Sequence, residues 1–259
     1  MEMKGKYALI IGGSSGIGLA SVRKLAAHGC NIIIIHRDRK QGVIALEEVC
    51  SELSQKHGVS INNYNIDATN PEKITECIES IKDSGPQQIN VVLHAVSRGN
   101  LKPFISDSAK LTSQDLALTI EAMGTNLQVW INELLAAQLI TKGSKILTLT
   151  SEGNDKFWEG YGAVALAKST LETLSKYLAI ELAPKGITVN IIQAGVTDTP
   201  SLRLIPGSEQ LIEQTKIRNP HGRLTTPHDV ANTVFLLSQP EANWINGSLI
   251  HVDGGEHLI

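Results

Sequence analysis

Aromatic residues and cysteines are scarce in this sequence of 259 residues. Phe, Trp and Tyr together make up 4% of the residues, so the core must be built mainly from aliphatic side chains. The cysteines are three in number, Cys30, Cys50 and Cys77, and they show no CxxC spacing. That pattern argues against a disulfide framework, and we expect reduced thiols and no bound metal.

Features of membrane proteins and nucleic-acid binders are missing as well. No apolar run approaches the roughly 20 residues that span a bilayer. The first run, residues 7–11, is too short and too close to glycines for a secretory signal. The net charge of −3 argues against a general nucleic-acid binder, which usually carries a basic face. We therefore expect a cytoplasmic protein without membrane or nucleic-acid partners.

Short aliphatic runs alternate with longer amphipathic stretches along the chain. Hydrophobic residues make up 42% of the sequence and suit a buried parallel sheet between helices. The alternation indicates βαβ units, so we predict one α/β domain over residues 1–259. Its expected core is a Rossmann-type, doubly wound, mostly parallel sheet of seven strands with helices on both faces. The predicted strands are 6–11, 31–36, 61–66, 90–95, 145–150, 188–193 and 248–252. The predicted helices include 16–28, 42–56, 71–82, 116–139 and 163–183.

A glycine-rich turn joins the first predicted strand to the first predicted helix. It reads Gly12-Gly13-Ser14-Ser15-Gly16-Ile17-Gly18. Glycines let the backbone bend sharply and approach a pyrophosphate, and the helix start offers free N–H groups. The position between strand and helix favours a dinucleotide site over a merely tight turn. The predicted cofactor contacts here are Gly12, Ser14, Ser15, Gly16, Ile17 and Gly18.

The end of the second predicted strand bears on the choice of cofactor. Sites that prefer NAD usually carry a carboxylate there for the ribose 2′-hydroxyl. Here His36 takes that position and Arg37 follows it, with Arg39 and Lys40 nearby. A guanidinium can pair with a 2′-phosphate, so the segment favours NADPH with Arg37 as a ligand. The alternative is a solvated basic turn.

The motifs together resemble the short-chain dehydrogenase/reductase family over essentially the whole chain. They are the glycine turn, Asp67-Ala68, Asn126, Ser151, Lys168 and the closing 252–255 segment, Val-Asp-Gly-Gly. The resemblance implies that Asp67 and Ala68 flank the adenine and that Lys168 bonds the nicotinamide ribose. It also implies that Val196 and Thr199 border the carboxamide, that Asn126 holds water, and that the protein is a homotetramer built on helices 116–139 and 163–183. Three segments depart from the family pattern: Ile11, His94-Ala95-Val96-Ser97 and Gln193-Ala194-Gly195.

The tyrosine expected four residues before the lysine is missing. Val164 occupies that position, and the nearest phenol is Tyr161, seven residues before Lys168. On a helix both spacings leave the two side chains on roughly one face, with the phenol moved ~4.5 Å toward the helix start. This arrangement resembles the NADPH-using enoyl-acyl-carrier-protein reductases. In conjugate reduction the developing oxyanion lies three bonds from the carbon that receives hydride, which suits a displaced phenol. Tyr161, Lys168, Ser151 and Asn126 are therefore the predicted catalytic residues.

The irregular segment 197–227 carries four prolines and two glycines. In the family this region is the lid over the substrate, so we predict that it covers an acyl chain. The predicted substrate contacts are Trp158, Tyr161, Leu202, Leu204 and Ile205. The basic residues Arg203, Lys216, Arg218 and Arg223 either meet an acidic carrier protein or belong to a solvated loop.

Three hypotheses about activity follow from these residues. The preferred one is NADPH-dependent reduction of a 2-enoyl thioester, with the substrate carried as an acyl thioester, on acyl carrier protein or coenzyme A. The second is a carbonyl reductase in which Tyr161 or a water replaces the missing tyrosine. The third is an inactive NADPH-binding regulatory protein in which Tyr161 is only a packing residue.

Overall fold

A computed structural model describes residues 2–259, and its centre is one seven-stranded sheet. The strands are β1 Tyr7–Ile11, β2 Asn31–His36, β3 Ile61–Asn65, β4 Val91–His94, β5 Lys145–Ser151, β6 Thr188–Ala194 and β7 Leu249–Val252. Their order is β3-β2-β1-β4-β5-β6-β7, and every neighbouring pair is parallel. The predicted fold class is confirmed, and the sheet is wholly rather than mostly parallel.

Helices cover both faces of this sheet. In chain order they are α1 Gly16–Ala27, α2 Lys40–His57, α3 Pro71–Asp83, α4 Ser113–Ile120, α5 Asn126–Ala136, α6 Gly162–Leu182, α7 Ser208–Arg218 and α8 Pro227–Leu237. One buried cluster joins α1, α2 and α8 to the sheet, and a second joins α3, α5 and α6 to its other face. The chain is therefore doubly wound. Among residues 2–259, no helix combines the length and the apolar character needed to cross a membrane.

The central strands β1, β2 and β4 read as nearly unbroken apolar runs because each supplies both cores. Successive side chains of a strand point to opposite faces of the sheet. Ile10 and Ile34 accordingly belong to the first cluster, whereas Ile11 and Ile35 belong to the second. The cysteines Cys30, Cys50 and Cys77 are buried free thiols within these layers, and burial raises the pKa of Cys30 to about 12.

The helix predicted over 116–139 is interrupted. Helix α4 ends at Ile120, a π-helical turn covers Glu121–Thr125, and α5 begins at Asn126. A methyl group at Gly124 would lie 3.0 Å from the carbonyl oxygen of Ala167, so this turn passes very close to α6. The wider turn changes the direction of Asn126 without ending the helical path.

Two helices near the end of the chain escaped the sequence analysis. Helix α7 lies inside the segment 197–227 that was predicted to be irregular. Helix α8 begins at Pro227, after a capping box formed by Thr226 and Asp229. Proline suits the first turn of a helix, where its missing N–H group is not needed. Prolines and glycines here mark helix boundaries rather than continuous loop.

The chain leaves two neighbouring strands toward opposite faces of the sheet, and this marks the expected place of a ligand-binding cleft. From β1 the chain turns to α1 on one face, whereas β4, its neighbour in the sheet, leads to α4 and α5 on the other side. In open parallel sheets, ligands bind outside the carboxyl ends of the strands at such a switch point.

Trp130 of α5 ties the second core to the end of β3. Its ring is fully buried, and Nε1 donates to the carbonyl oxygen of Ala68 at 3.0 Å. Replacing Trp130 with Phe keeps an aromatic ring but leaves that carbonyl short of a donor. We expect the free energy of unfolding to fall by about 1–3 kcal/mol in urea unfolding followed by circular dichroism.

Trp244 is the matched control, since its side chain is 99% exposed. Trp244→Phe should change the free energy of unfolding by less than about 0.5 kcal/mol. Equal losses in the two variants would contradict the role given to the Trp130 hydrogen bond.

Candidate functional site

A cleft of about 620 Å³ opens at the carboxyl ends of the central strands. Most of the predicted site residues line it: Gly12, Ser14, Ser15, Gly16, Ile17, Gly18, Arg37, Ser151, Trp158, Tyr161, Lys168, Val196, Thr199, Leu202, Leu204 and Ile205. Asp67, Ala68 and Asn126 are not among its lining residues. They lie at the end of β3 and at the start of α5, beside and behind the cleft.

The glycine-rich turn leaves no room for side chains. A methyl group at Gly18 would lie 2.1 Å from the carbonyl oxygen of Gly12. Gly12 itself has a φ of +91°, and a methyl group there would lie 2.7 Å from the carbonyl oxygen of Ala95. The first turn of α1 has no acidic residue, and the Ser15 side chain makes no capping hydrogen bond within the described chain. Free N–H groups and bare backbone fit a pyrophosphate at this end of the cleft.

Two arginines converge on one carboxylate at the neighbouring strand ends. Arg37 donates to Oδ2 of Asp67 at 2.5 Å, and Arg98 approaches the same oxygen at 3.3 Å. Burial opposes ionisation of Asp67, but hydrogen bonds from Thr69 and the two guanidinium groups hold the pKa of Asp67 below its ordinary value. Arg98 was missed in the sequence, because only the folded chain brings the loop after β4 to the end of β3.

His36 occupies the position where a carboxylate would favour NAD. Its ring is buried, with Nδ1 2.8 Å from Oδ2 of Asp38 and Nε2 3.2 Å from Oδ1 of Asn63. The nearby acidic groups, Asp38 and Asp67, are therefore both engaged by side chains of the chain itself. Arg37 remains half-exposed at the mouth of the cleft.

Tyr161 and Ser151 meet at the other end of the cleft. Ser151 ends β5, Tyr161 immediately precedes α6, and their hydroxyl oxygens are 3.0 Å apart. Burial raises the pKa of the Tyr161 phenol, and the hydrogen bond between Tyr161 and Ser151 partly opposes that shift. The phenol consequently keeps its proton and can act as a hydrogen-bond donor.

Lys168 lies two helical turns further along α6 and forms part of the floor of the cleft. Its ammonium group is buried and donates to the carbonyl oxygen of Leu149 at 2.7 Å. Burial lowers the pKa of Lys168 to about 8, while the carboxylate of Glu172 opposes the shift. A buried ammonium with one protein acceptor has donors left for a ligand.

The space around Tyr161 is tightly filled. Val164 is buried against Ala122, Met123 and Ala167, so an apolar side chain stands one turn closer to Lys168 than the phenol does. A methyl group at Gly153 would lie 2.4 Å from Cε1 of Tyr161, which places the ring directly over this glycine. The phenol is thus held in place by packing.

The segment 197–227 closes the far wall of the cleft. Trp158 Nε1 donates to the carbonyl oxygen of Pro206 at 2.9 Å and ties this segment to the loop before α6. Leu202 is buried, whereas the Leu204 side chain is largely exposed. Sequence patterns missed further lining residues that tertiary packing brings in: Leu101, Met123, Lys156, Leu211, Gln214 and Thr215.

The basic residues of this segment already have partners. Arg203 bonds Asp198 through two nitrogens, at 2.8 and 2.6 Å. The other pairs are Lys216 with Glu213, Arg218 with both Glu152 and Glu256, and Arg223 with Asp229. The expectation that these cations wait for an acidic partner therefore has no support in the geometry.

Comparison with known proteins places this cleft among known reductases. Residues 12–257 match the family model described as enoyl-(acyl carrier protein) reductase. The chain is 31% identical over 193 residues to the NADH enoyl-acyl-carrier-protein reductase of Bacillus cereus, covering 74% of each chain. It is 28% identical over 260 residues to the 3-oxoacyl-acyl-carrier-protein reductase of Escherichia coli strain K12, covering 100% of each chain.

Solved structures share the same fold. The NADH enoyl-acyl-carrier-protein reductase from Aquifex aeolicus VF5 superposes with a TM-score of 0.87 at 24% identity, over 100% of this chain and 99% of that chain. A short-chain dehydrogenase from Burkholderia cenocepacia J2315, solved in complex with NADP, superposes with a TM-score of 0.82 at 25% identity, over 99% and 100% of the two chains.

The packing of Tyr161 over Gly153 can be tested without an assay of activity. Gly153→Ala forces a methyl group into the ring, so we expect a loss of about 1–3 kcal/mol in the free energy of unfolding. In a Tyr161→Ala background the ring is absent, and Gly153→Ala should cost much less. A double-mutant cycle from urea unfolding measures the coupling. Equal losses in both backgrounds would show that the ring does not rest on Gly153.

Proposed function

Because the chain belongs to the short-chain dehydrogenase/reductase family, we propose that it reduces the carbon–carbon double bond of 2-enoyl thioesters with NADPH. The observation that carries the proposal is the position of the phenol. Tyr161 reaches Ser151, while Val164 fills the place four residues before Lys168 with an apolar side chain. A carbonyl reductase needs its proton donor close to the carbon that accepts hydride, whereas an enoyl reductase needs it further away.

Tyr161 is the proposed hydrogen-bond donor to the oxyanion of the substrate. Reduced nicotinamide, when bound, is the source of hydride for the β-carbon of the substrate. The negative charge that would result lies on the thioester oxygen, three bonds away, where the protonated phenol would stabilise it by a hydrogen bond. A proton from solvent, added to the α-carbon, would complete the saturated thioester. Ser151 donates to the same region or fixes the phenol in orientation.

Lys168 is proposed to act on both the cofactor and the phenol. Its buried ammonium anchors the nicotinamide ribose and favours negative charge on the phenol or the substrate oxygen. Asn126 acts one layer behind Lys168 rather than at the substrate, since its side chain bonds the carbonyl oxygen of Ala68.

Most of the proposed cofactor contacts lie at the end of the cleft formed by the glycine-rich turn and the ends of β2 and β3. We infer that the glycine-rich turn holds the pyrophosphate, that Asp67 and Ala68 flank the adenine, and that Val196 and Thr199 border the carboxamide. Arg37 is the proposed ligand of the 2′-phosphate, which it would reach by exchanging its contact with Asp67. The absence of a carboxylate at His36 supports NADPH, whereas two of the similar proteins are named for NADH.

The acyl chain belongs at the apolar wall of the cleft. We infer that residues 197–227 form a lid of the single domain and that Leu202, Leu204, Ile205 and Trp158 contact the chain. The names of two relatives support an acyl thioester on acyl carrier protein as substrate. With all four basic side chains of the lid segment paired internally, docking of a carrier would need other contacts.

Reduction of a 3-oxoacyl thioester is the second candidate activity. The full-length likeness to a 3-oxoacyl reductase favours it, as does the presence of Ser151. Val164 argues against it, because no phenol stands at that position. A third candidate, a regulatory protein that binds NADPH without turnover, would show cofactor binding alone.

A cytoplasmic homotetramer remains our proposal for the assembly. Helix α6 carries large apolar side chains on its outer surface, with Tyr177 67% and Ile180 74% exposed. Such side chains suit burial against another copy of the chain.

Replacing Tyr161 with Phe tests the proposed activity. We expect oxidation of NADPH, followed at the nicotinamide absorbance, to proceed with crotonyl and longer 2-enoyl thioesters in the wild type. Removal of the hydroxyl should lower kcat by about 10²- to 10⁴-fold and leave the Kd for NADPH unchanged. Oxidation with 3-oxoacyl thioesters instead would return the protein to the carbonyl reductases, and silence with both would favour the regulatory hypothesis.

Replacing Arg37 with Ala tests the choice of cofactor. Loss of a charge-assisted contact to the 2′-phosphate should weaken NADPH binding about 10- to 100-fold and leave NADH binding nearly unchanged. Arg39→Ala removes the same charge two residues further on and serves as the control. Equal losses in the two variants would assign the effect to net charge rather than to a specific contact.

A further inference from the structure

A fully buried imidazole lies behind the catalytic residues. His94 is the last residue of β4 and has no exposed surface. Neither of its ring nitrogens has a hydrogen-bond partner within residues 2–259. Buried polar atoms are almost always paired in proteins, so two free nitrogens on one ring demand an explanation.

Strand register directs this ring toward Lys168. His94 pairs with Thr148 of β5, and the next residue of β5, Leu149, accepts the hydrogen bond from Lys168. Alternation along the strands places His94 on the same face as Val92, toward α5 and α6. The ammonium is close enough to influence the ring: burial lowers the pKa of His94 to about 3, and Lys168 adds to that shift. His94 is therefore neutral, with one donor nitrogen and one acceptor nitrogen.

Asn126 offers the matching acceptor on the other side of the ring. Its Nδ2 donates to the carbonyl oxygen of Ala68 at 2.5 Å. A carbonyl oxygen can only accept, so this contact fixes the orientation of the amide. Its Oδ1 is buried and likewise has no partner of normal hydrogen-bond geometry in the described chain. The amide nevertheless approaches His94 closely enough to raise the pKa of the ring against the effect of burial.

We propose that His94 is a positioning residue for Lys168. One ring nitrogen donates to Oδ1 of Asn126, and the other accepts from the Lys168 ammonium, directly or through one buried water. A single chain of hydrogen bonds then runs from Ala68 at the adenine end, through Asn126 and His94, to the ammonium. The inference rests on the proposed function for the role of Lys168, but its geometry does not depend on the substrate.

No proton transfer through His94 is required. The neutral ring acts as an oriented dipole that stabilises the charged form of Lys168. The charged group that acts on the ammonium is the carboxylate of Glu172, one turn further along α6, which is held by Thr150 and Asn154. Glu172 also favours the charged form, so loss of His94 should shift the titration of Lys168 rather than abolish it.

The pH dependence of NADPH binding tests the proposal without any substrate. Fluorescence titrations give the Kd from about pH 6 to about pH 10, and affinity should fall as pH rises through the pKa of Lys168. Lys168→Met should remove this alkaline limb. His94→Phe removes the acceptor and should move the limb down by about one pH unit. His94→Gln restores an acceptor and a donor and should bring the limb back toward its wild-type position.

Thr148→Val is the matched control. It removes a buried hydrogen bond to Ser175 on the same face of the sheet, outside the proposed chain, and should leave the limb unmoved. If His94→Phe fails to fold, His94→Leu takes its place. A folded His94 variant with an unmoved limb would overturn the proposal, as would a His94→Gln limb that shifts as far as that of His94→Phe, or a limb that persists in Lys168→Met. Turnover of 2-enoyl thioesters, measured in parallel, would separate a failure of the proposed function from a failure of this inference.

Discussion

The buried ammonium of Lys168 is the interaction on which the rest of the cleft depends. A charge away from water must find acceptors, and here the first of them is a backbone carbonyl at the end of β5. That contact fixes α6 against the sheet and so fixes the phenol at its start. Asn126, at the start of α5, and His94, at the end of β4, lie on the side of this charge that faces away from the cleft. Burial lowers the pKa of Lys168 to about 8. The groups around the ammonium therefore determine what fraction of it stays protonated near neutral pH.

Backbone lines one end of the cleft, and side chains line the other. At the end formed by the glycine-rich turn, bare backbone lines the cleft, and Gly12 and Gly18 allow chain segments to touch where a single methyl group would collide. At the end near Tyr161, side chains from α6, α7 and the loops between them form the wall. A site lined by backbone tolerates few substitutions, so it can be recognised in the sequence as a motif. A side-chain wall can change its shape while the fold stays the same, which fits a family whose relatives reduce different acyl substrates by name.

What could be predicted from the sequence was local in origin. All seven strands were predicted within a residue or two. The central ones stood out as apolar runs, because strands buried on both faces need such runs. The turn from Gly12 to Gly18 and the spacing from Tyr161 to Lys168 were likewise visible, since each motif lies within one element. The π-helical turn before Asn126, the pairing of Arg203 with Asp198, and the meeting of Arg98 with Asp67 were not visible. Each of them depends on which segments the fold brings together. His94 stood out in the sequence only as a departure from the family pattern, and its unpaired nitrogens became evident in the structure.

The ion pairs of Arg218 tie the end of helix α7 to two points that are distant in the sequence. Glu152 follows Ser151 directly, and Glu256 is almost wholly buried near the other end of the chain. Burial raises the pKa of Glu256, and Arg218 opposes that shift. During synthesis the glycine turn emerges first and its neighbouring strands can begin to pair, whereas Arg218 meets Glu256 only after β7 has been made. The end of the cleft at the glycine-rich turn can thus take shape on the ribosome well before α7 is fixed in place at the other end.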